Sequence, residues 1–413
     1  MDTVLDATDP YASLKIRDFR WFVCARFILT FAIQMQAVIV GWQVYELTHD
    51  ALSLGLIGLC EAIPFISISL FGGHVADVVR RKKIIIVTSA GYFFCAAALL
   101  LVSTHLRMIL VHHGVFPIYC IIFSAGLVRG FLSPAQRAFI AQLVPRELLG
   151  NASTWDSLEF QVACVAGPAA GGLIYGFAGI GIAYGTVVLM TIAGLLSFMV
   201  VQDKPLPERK ADESIWKSLS VGLKFVFRNQ VILSAVTLDM FAVFFGGAVS
   251  VLPIFADQVF HIGAEGLGLL RAAPAVGAII MSVVQVNYPF FKRAGRNLII
   301  CVFGFGLSMI LFAVSKSFYF SLVILLLSGM FDNVSVVVRA TIVQLYTPDE
   351  MRGRVSAVNG IFIGSSNELG SFESGIAAKL MGLIPSVVFG GSMTLIVVAA
   401  VRQFAPKLRK LKL

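Results

Sequence analysis

Several ionisable residues stand inside stretches that are otherwise apolar. They are Arg26, Glu61, Arg129, Asp156, Glu159, Asp239, Asp257, Arg271, Asp332, Glu368 and Glu373. A charge in hydrocarbon costs at least a few kcal/mol unless it faces a cavity or a partner, so such residues point to ion pairs, proton carriage or ligand contact. Asp239 precedes "MFAVFFGGAVSVLP", which holds no other charge. It lies roughly ten residues, or about 15 Å, into its apolar stretch. A carboxylic acid there could take up and release a proton near neutral pH. The alternative is a carboxylate near the helix end, paired with a neighbouring base.

Glu61 in "GLCEAIP" (Gly58–Pro64) and Arg271 in "GLLRAAP" (Gly268–Pro274) occupy matching places in two similar stretches. Arg129 in "GLVR" and Asp332 in "GMFD" nearly do. Opposite charges at equivalent places could pair and re-pair as two halves move, or each could be satisfied within its own half. Arg129 stays charged, so it would hold an acid ionised or bind an anion. Asp156 and Glu159 are three apart, on one helix face. They read as a cation site or as polar residues near a helix start. Gln34, Gln36, Trp42 and Gln43 lie in the first apolar stretch. Their amides could bond a ligand or join helices.

These residues must be positioned by membrane helices. Of the 413 residues, 58% are hydrophobic and 13% charged, with mean hydropathy +0.88. A soluble domain is roughly 45–50% apolar and about 25% charged. Hydropathy predicts twelve spans: 19–46, 53–78, 84–104, 115–142, 152–178, 179–201, 229–259, 265–290, 297–315, 317–346, 354–382 and 383–404, each near the about 20 residues that cross a bilayer. The fold class is therefore an all-α polytopic membrane protein of two six-helix bundles. The expected domains are 1–201, a linker at 202–228 and 229–413. In the linker, Ile215, Leu219, Leu223 and Phe227 recur every fourth residue, off Lys217, Lys224 and Arg228. That pattern predicts a helix lying on the cytoplasmic leaflet.

The net charge of +9 gathers in alternate connections: Arg80 to Lys83, Lys204 to Arg228, Lys292 to Arg296, and Arg402 to Lys412. That is the positive-inside pattern, which puts both termini in the cytoplasm and argues against a nucleic-acid partner. Met1–Pro10 is polar and acidic, so no cleavable signal is expected. The six cysteines stand singly and read as small apolar residues. His112-His113 reads as a solvated loop. No cofactor and no metal is expected, and the chain carries no Walker motif and no nucleophile constellation of an enzyme.

One line occurs twice. "RAFIAQLVP" (Arg137–Pro145) is echoed about half a chain later by "RATIVQLYTP" (Arg339–Pro348), and "PRELLG" (Pro145–Gly150) by "PDEMRG" (Pro348–Gly353). Both copies fall at the cytoplasmic ends of the fourth and tenth spans, so the halves share one orientation. A parallel repeat of this kind is a transporter architecture with its substrate near the midplane. The repeated line itself reads as a hinge that carries topology.

"GGHVADVVRRKK" (Gly72–Lys83) resembles the loop signature of the major facilitator superfamily. Gly73, Ala76, Asp77, Arg81 and Lys82 fit it, while Val78 and Arg80 depart. Other stretches look like the branch of enterobactin exporters and macrolide-efflux proteins: "FRWFVCARFI", "VYELTHDALSLGLIGL", "LVPRELLGNASTWDS", "GPAAGGLIYG" and "TPDEMRGRVSAVNG". The resemblance implies a proton-coupled exporter of a siderophore, drug or metabolite, working as a monomer in a bacterial inner membrane with protons, substrate and lipid as partners. It further implies that Asp77, oriented by Arg81, locks onto the start of the eleventh span near Arg354. It implies that Thr237, Asp239, Phe241 and Phe245 join Gln34, Gln36 and Gln43 in lining a cavity. A lysophospholipid or metabolite carrier with other coupling, and a non-transporting sensor, are the competing readings.

Overall fold

The computed structural model describes residues 9–205, 215–287, 293–348 and 351–411. Every regular element among them is helical. The long helices are α1 (Arg17–Thr48), α2 (Ala51–Val78), α3 (Arg81–Thr104), α4 (Phe116–Leu143) and α5 (Leu149–Val200). After the linker come α6 (Ile215–Arg228), α7 (Gln230–Phe245), α8 (Ala264–Asn287), α9 (Ala294–Val314), α10 (Phe318–Leu345), α11 (Arg352–Met381), α12 (Leu383–Phe404) and the short α13 (Pro406–Arg409).

Ten helical stretches among the described residues are long and apolar enough to cross a bilayer. One of them, within which α5 falls, holds two spans. Gly179 breaks α5 with φ 80° and ψ 172°, a conformation open to glycine because it has no Cβ. The break falls where the hydropathy pattern separates 152–178 from 179–201. α11 has the length of a span but carries Asn359, Asn367, Glu368, Glu373 and Lys379, and it is not among the ten. Adding the second limb of α5 and α11 gives the twelve helices that the pattern predicts. α7 stops earlier than expected. Asn229 caps it by accepting from the backbone N–H groups of Val231 and Ile232 at 3.1 and 3.2 Å, and Gly246-Gly247 ends it. The chain then runs on through a 3-10 turn (Ala248–Val251) and a π-helical turn (Phe255–Val259).

By contact the chain forms two compact units. The first is Met1–Val40 with Ile63–Ala211; the second is Gly41–Ala62 with Asp212–Leu413. Lipid tails give helices no hydrophobic reason to associate, so close packing must do so. In the first unit Phe22 of α1 meets Phe139 of α4 and Phe198 of α5, each with ring centroids 5.8 Å apart. In the second unit Leu238, Leu298, Val302, Val338 and Val398 form a buried cluster from α7, α9, α10 and α12. The tips of α1 and α2 pack there too. A Cβ added at Gly375 of α11 would stand 2.7 Å from the Cα of Gly55 in α2, so the backbone must shift if α11 carries a larger residue at this crossing.

α6 is amphipathic as expected. Leu223 and Phe227 are exposed beside Lys224 and Arg228, an interfacial pattern. Its protein side is Val226, buried against Ile232, Val236, Val343, Val355 and Val358. The side chain of Leu219 lies outside the described residues.

Candidate functional site

The first unit gathers charge between α1 and α5. Arg26 of α1 bonds Asp156 through Nη1, and its Nε lies 2.9 Å from Glu159 Oε1. The three-residue spacing puts both acids on the α5 face that meets Arg26. Glu159 is almost wholly buried. Arg137 of α4 lies within electrostatic reach of Arg26 and donates to Ser133 Oγ at 2.9 Å. Arg129 is within electrostatic reach of Arg137 in turn, so three cations stand in and around this pair of acids.

The second unit builds a related cluster from α7, α10 and α11. Asp239 is 4% exposed and Arg339 is 3% exposed. Arg339 Nε stands 3.2 Å from Asp239 Oδ1, close as a charge but without hydrogen-bond alignment. Arg339 Nη1 donates to Asn359 Oδ1 at 3.0 Å. Asp332, seven residues before Arg339 on the same side of α10, feels the charges of both Asp239 and Arg339. Among the described residues it makes neither hydrogen bond nor ion pair. Here two acids face one cation.

The register of the repeat relates the two clusters. The matching "PRELLG" and "PDEMRG" set Asp156 against Asn359, and the repeated line sets Arg137 against Arg339. In the first half the cation on the leading helix meets acids on α5. In the second half the acid on the leading helix meets a cation on α10, and the α11 position is an amide. Arg339 was the residue missed by sequence reasoning, which treated its line as topology. The repeat itself was the available signal, because a charged residue kept at both copies of a span end needs a partner in each.

The other candidates are distributed as follows. Arg271 on α8 is opposed by Glu368 of α11, and its Nε has no hydrogen-bond partner. Glu61 has a partner of its own. Arg129 sits over the Phe65 ring at 4.8 Å from the centroid. Asp257 accepts from Tyr45 Oη at 2.7 Å. Glu373 makes no hydrogen bond or ion pair among the described residues. Gln34 donates to Cys164 Sγ at 2.8 Å, and Gln36 and Gln43 are buried. Thr237 lies on α7 two residues before Asp239. Phe241 and Phe245 stack with centroids 6.0 Å apart, and Phe245 also meets Phe389 edge-on.

In the last turn of α2, Asp77 is exposed and lies 3.7 Å from Arg81 Nη2 at the start of α3. Arg81 donates from Nε to Ala76 O and from Nη1 to Ala138 O, at 3.2 and 2.8 Å. It thus ties this turn to the end of α4. A side chain at Gly73 would meet nothing within 4 Å. The side chain of Arg354 lies outside the described residues. At the opposite end of the bundle, Asp50 accepts from Ser53 N–H and Oγ, both at 3.1 Å, and faces Lys379 Nζ at 3.3 Å. Burial pushes the Asp50 carboxyl up, but Ser53 and Lys379 outweigh it and hold it below the usual range.

Long apolar helices that enclose buried charge clusters are the build of a polytopic membrane protein. The chain belongs to the transmembrane secretion effector family, whose pattern it matches over residues 8–412. It is 26% identical over 400 residues to the enterobactin exporter EntS of Shigella flexneri, covering 94% of this chain and 93% of that one. The enterobactin exporter of Escherichia coli O1:K1 is equally similar. Among solved structures, a POT family transporter in complex with 5-aminolevulinic acid superposes with TM-score 0.77 at 11% identity, over 95% of this chain and 97% of that one. The nucleoside transporter NupG does so with TM-score 0.72 at 12% identity, over 94% and 99%. These likenesses carry the fold.

Proposed function

We propose that this protein exports a small amphiphilic molecule of the siderophore type from a bacterial inner membrane in exchange for protons. The observation that carries the proton coupling is the surplus acid around Arg339. A buried carboxylate without its own cation is costly, and a bound proton removes that cost. Asp239 and Asp332 share one counterion and so bind the proton as a pair. Arg339 keeps the proton from being held permanently, and Asn359 orients Arg339. The ion-paired cluster of Arg26, Asp156 and Glu159, with Arg137 nearby, serves as the fixed counterpart in the first half. The substrate class is supported by the likeness to enterobactin exporters across nearly the full chain.

The functional halves are 1–201 and 229–413, joined by the linker 202–228, and substrate passes by alternating access. Gln34, Gln36, Gln43, Thr237, Phe241 and Phe245 line its path. Gly73, Asp77 and Arg81 with Arg354 gate the cytoplasmic side, and Glu61 and Arg271 take part in gating. Arg129 serves the proton path. The protein acts as a monomer with both termini in the cytoplasm, a topology supported by the placement of Lys and Arg between spans.

The test is reconstitution into vesicles with an imposed pH gradient, with enterobactin as first substrate. Wild type should export it faster when the gradient is present, and Asp239→Asn and Asp332→Asn should transport at the rate seen without a gradient. Full gradient dependence in both variants would remove the proton assignment. Absence of any enterobactin transport by wild type would remove the substrate class and leave the coupling to be tested on other amphiphiles.

A further inference from the structure

The end of the chain is folded back and held. Leu408 of α13 is fully buried, and the Gly295 N–H donates to Leu411 O at 3.4 Å. This sets Arg409 beside Arg296, in the first turn of α9, and Arg402, in the last turn of α12. With Ile299 and Ile300 the three arginines line a cavity of about 480 Å³. Among the described residues none of these guanidinium groups makes an ion pair or a hydrogen bond. Three like charges held together repel one another, and bringing an anion among them relieves that repulsion.

The floor and its continuation are apolar. Ile300, Phe303, Leu307, Leu311 and Val314 are all exposed, and their spacing of three and four places them along one side of α9. That stripe starts at the cavity and runs the length of the span. A small soluble anion would use the arginines and ignore the stripe. A molecule with an anionic head and a long apolar tail would use both. Basic pockets between membrane helices on the cytoplasmic side suit lipid head groups.

We propose that Arg296, Arg402 and Arg409 bind the phosphate of an anionic phospholipid whose acyl chain lies along α9. The arginine geometry depends on the docked C-terminal segment, so the lipid and the tail hold each other in place.

The experiment uses the full chain in nanodiscs of phosphatidylcholine mixed with phosphatidylglycerol, released for native mass spectrometry. Wild type should retain phosphatidylglycerol preferentially. Each of Arg296→Gln, Arg402→Gln and Arg409→Gln should lower that preference about fivefold, as expected for about 1 kcal/mol per basic side chain at an anionic surface. The triple Gln variant should show none, and the triple Lys variant, which keeps the charge, should retain a preference. Equal retention of both lipids by wild type, or an unchanged preference in the single Gln variants, would overturn the proposal. So would displacement of phosphatidylglycerol by inorganic phosphate, which would make the cavity a small-anion site. If the triple Gln variant aggregates, the single variants decide the matter.

Discussion

At the scale of single residues, the informative feature is the imbalance of charge around Arg339. Arg339→Gln would leave Asp239 and Asp332 buried without a cation. Breaking such a pair from one side costs about 3–5 kcal/mol, so a large fall in unfolding midpoint in detergent is expected. Arg339→Gln combined with Asp239→Asn should recover much of that loss, because the orphaned charge is gone. No recovery in the double variant would mean that the two side chains do not depend on each other. The Asp50–Lys379 pair gives a milder case. Its carboxyl sits below the usual range when folded, so its contribution is complete above the ordinary carboxylate pKa, near 3.9. It fades as pH falls through the lower folded value. The pair is partly exposed, so its worth is less than about 1 kcal/mol. Asp50→Asn should therefore lower stability slightly at neutral pH, leave it unchanged in strong acid where the carboxyl is already protonated, and so flatten the acid limb of a stability–pH curve. The candidates Asp239, Asp332, Asp156 and Glu159 were legible in the sequence as charges in apolar surroundings. Their partners were not. Arg26 and Asp156 are far apart along the chain, as are Asp239 and Arg339, and neither hydropathy nor helical period reports such a meeting.

At the scale of elements, the crossing of α2 and α11 is set by Gly55 and Gly375. Gly375→Ala would place a methyl group against backbone, and overpacking of this kind costs about 1–3 kcal/mol. Thermal unfolding should register that cost, whereas Gly73→Ala, in open surroundings, should be near neutral. α6 offers a second test. Leu223→Glu with Phe227→Glu should lift the helix from the leaflet, reducing the quenching by lipid-borne spin labels of a fluorophore attached through Lys224→Cys, with the fold of both units retained. The element boundaries were mostly readable from hydropathy and from glycine and proline. The early end of α7 was not, because the mainly apolar run continues past Gly246-Gly247 without a charge until Asp257.

At the scale of the whole molecule, the repeat was the most legible feature and also the most misleading. It predicts two halves, 1–201 and 229–413, whereas by contact the segment Gly41–Ala62 groups with the second unit. It suggested chemistry at the matched Glu61 and Arg271, whereas the residue it marked most directly, Arg339, was read as part of a hinge. The polar character of α11 has a consequence for how the protein is made. With charged residues costing roughly 2.5–3.5 kcal/mol each near a span centre during insertion, α11 offered alone to the insertion machinery should mostly be rejected. Only Gly382 separates α11 from the apolar α12. The two should therefore enter the bilayer together, as a hairpin, and only after α7 and α10 are present to receive it. An insertion assay on nascent chains should find α11 inserted poorly when presented alone and efficiently when followed by α12. That joint insertion would then also be the step that brings Asn359 to Arg339.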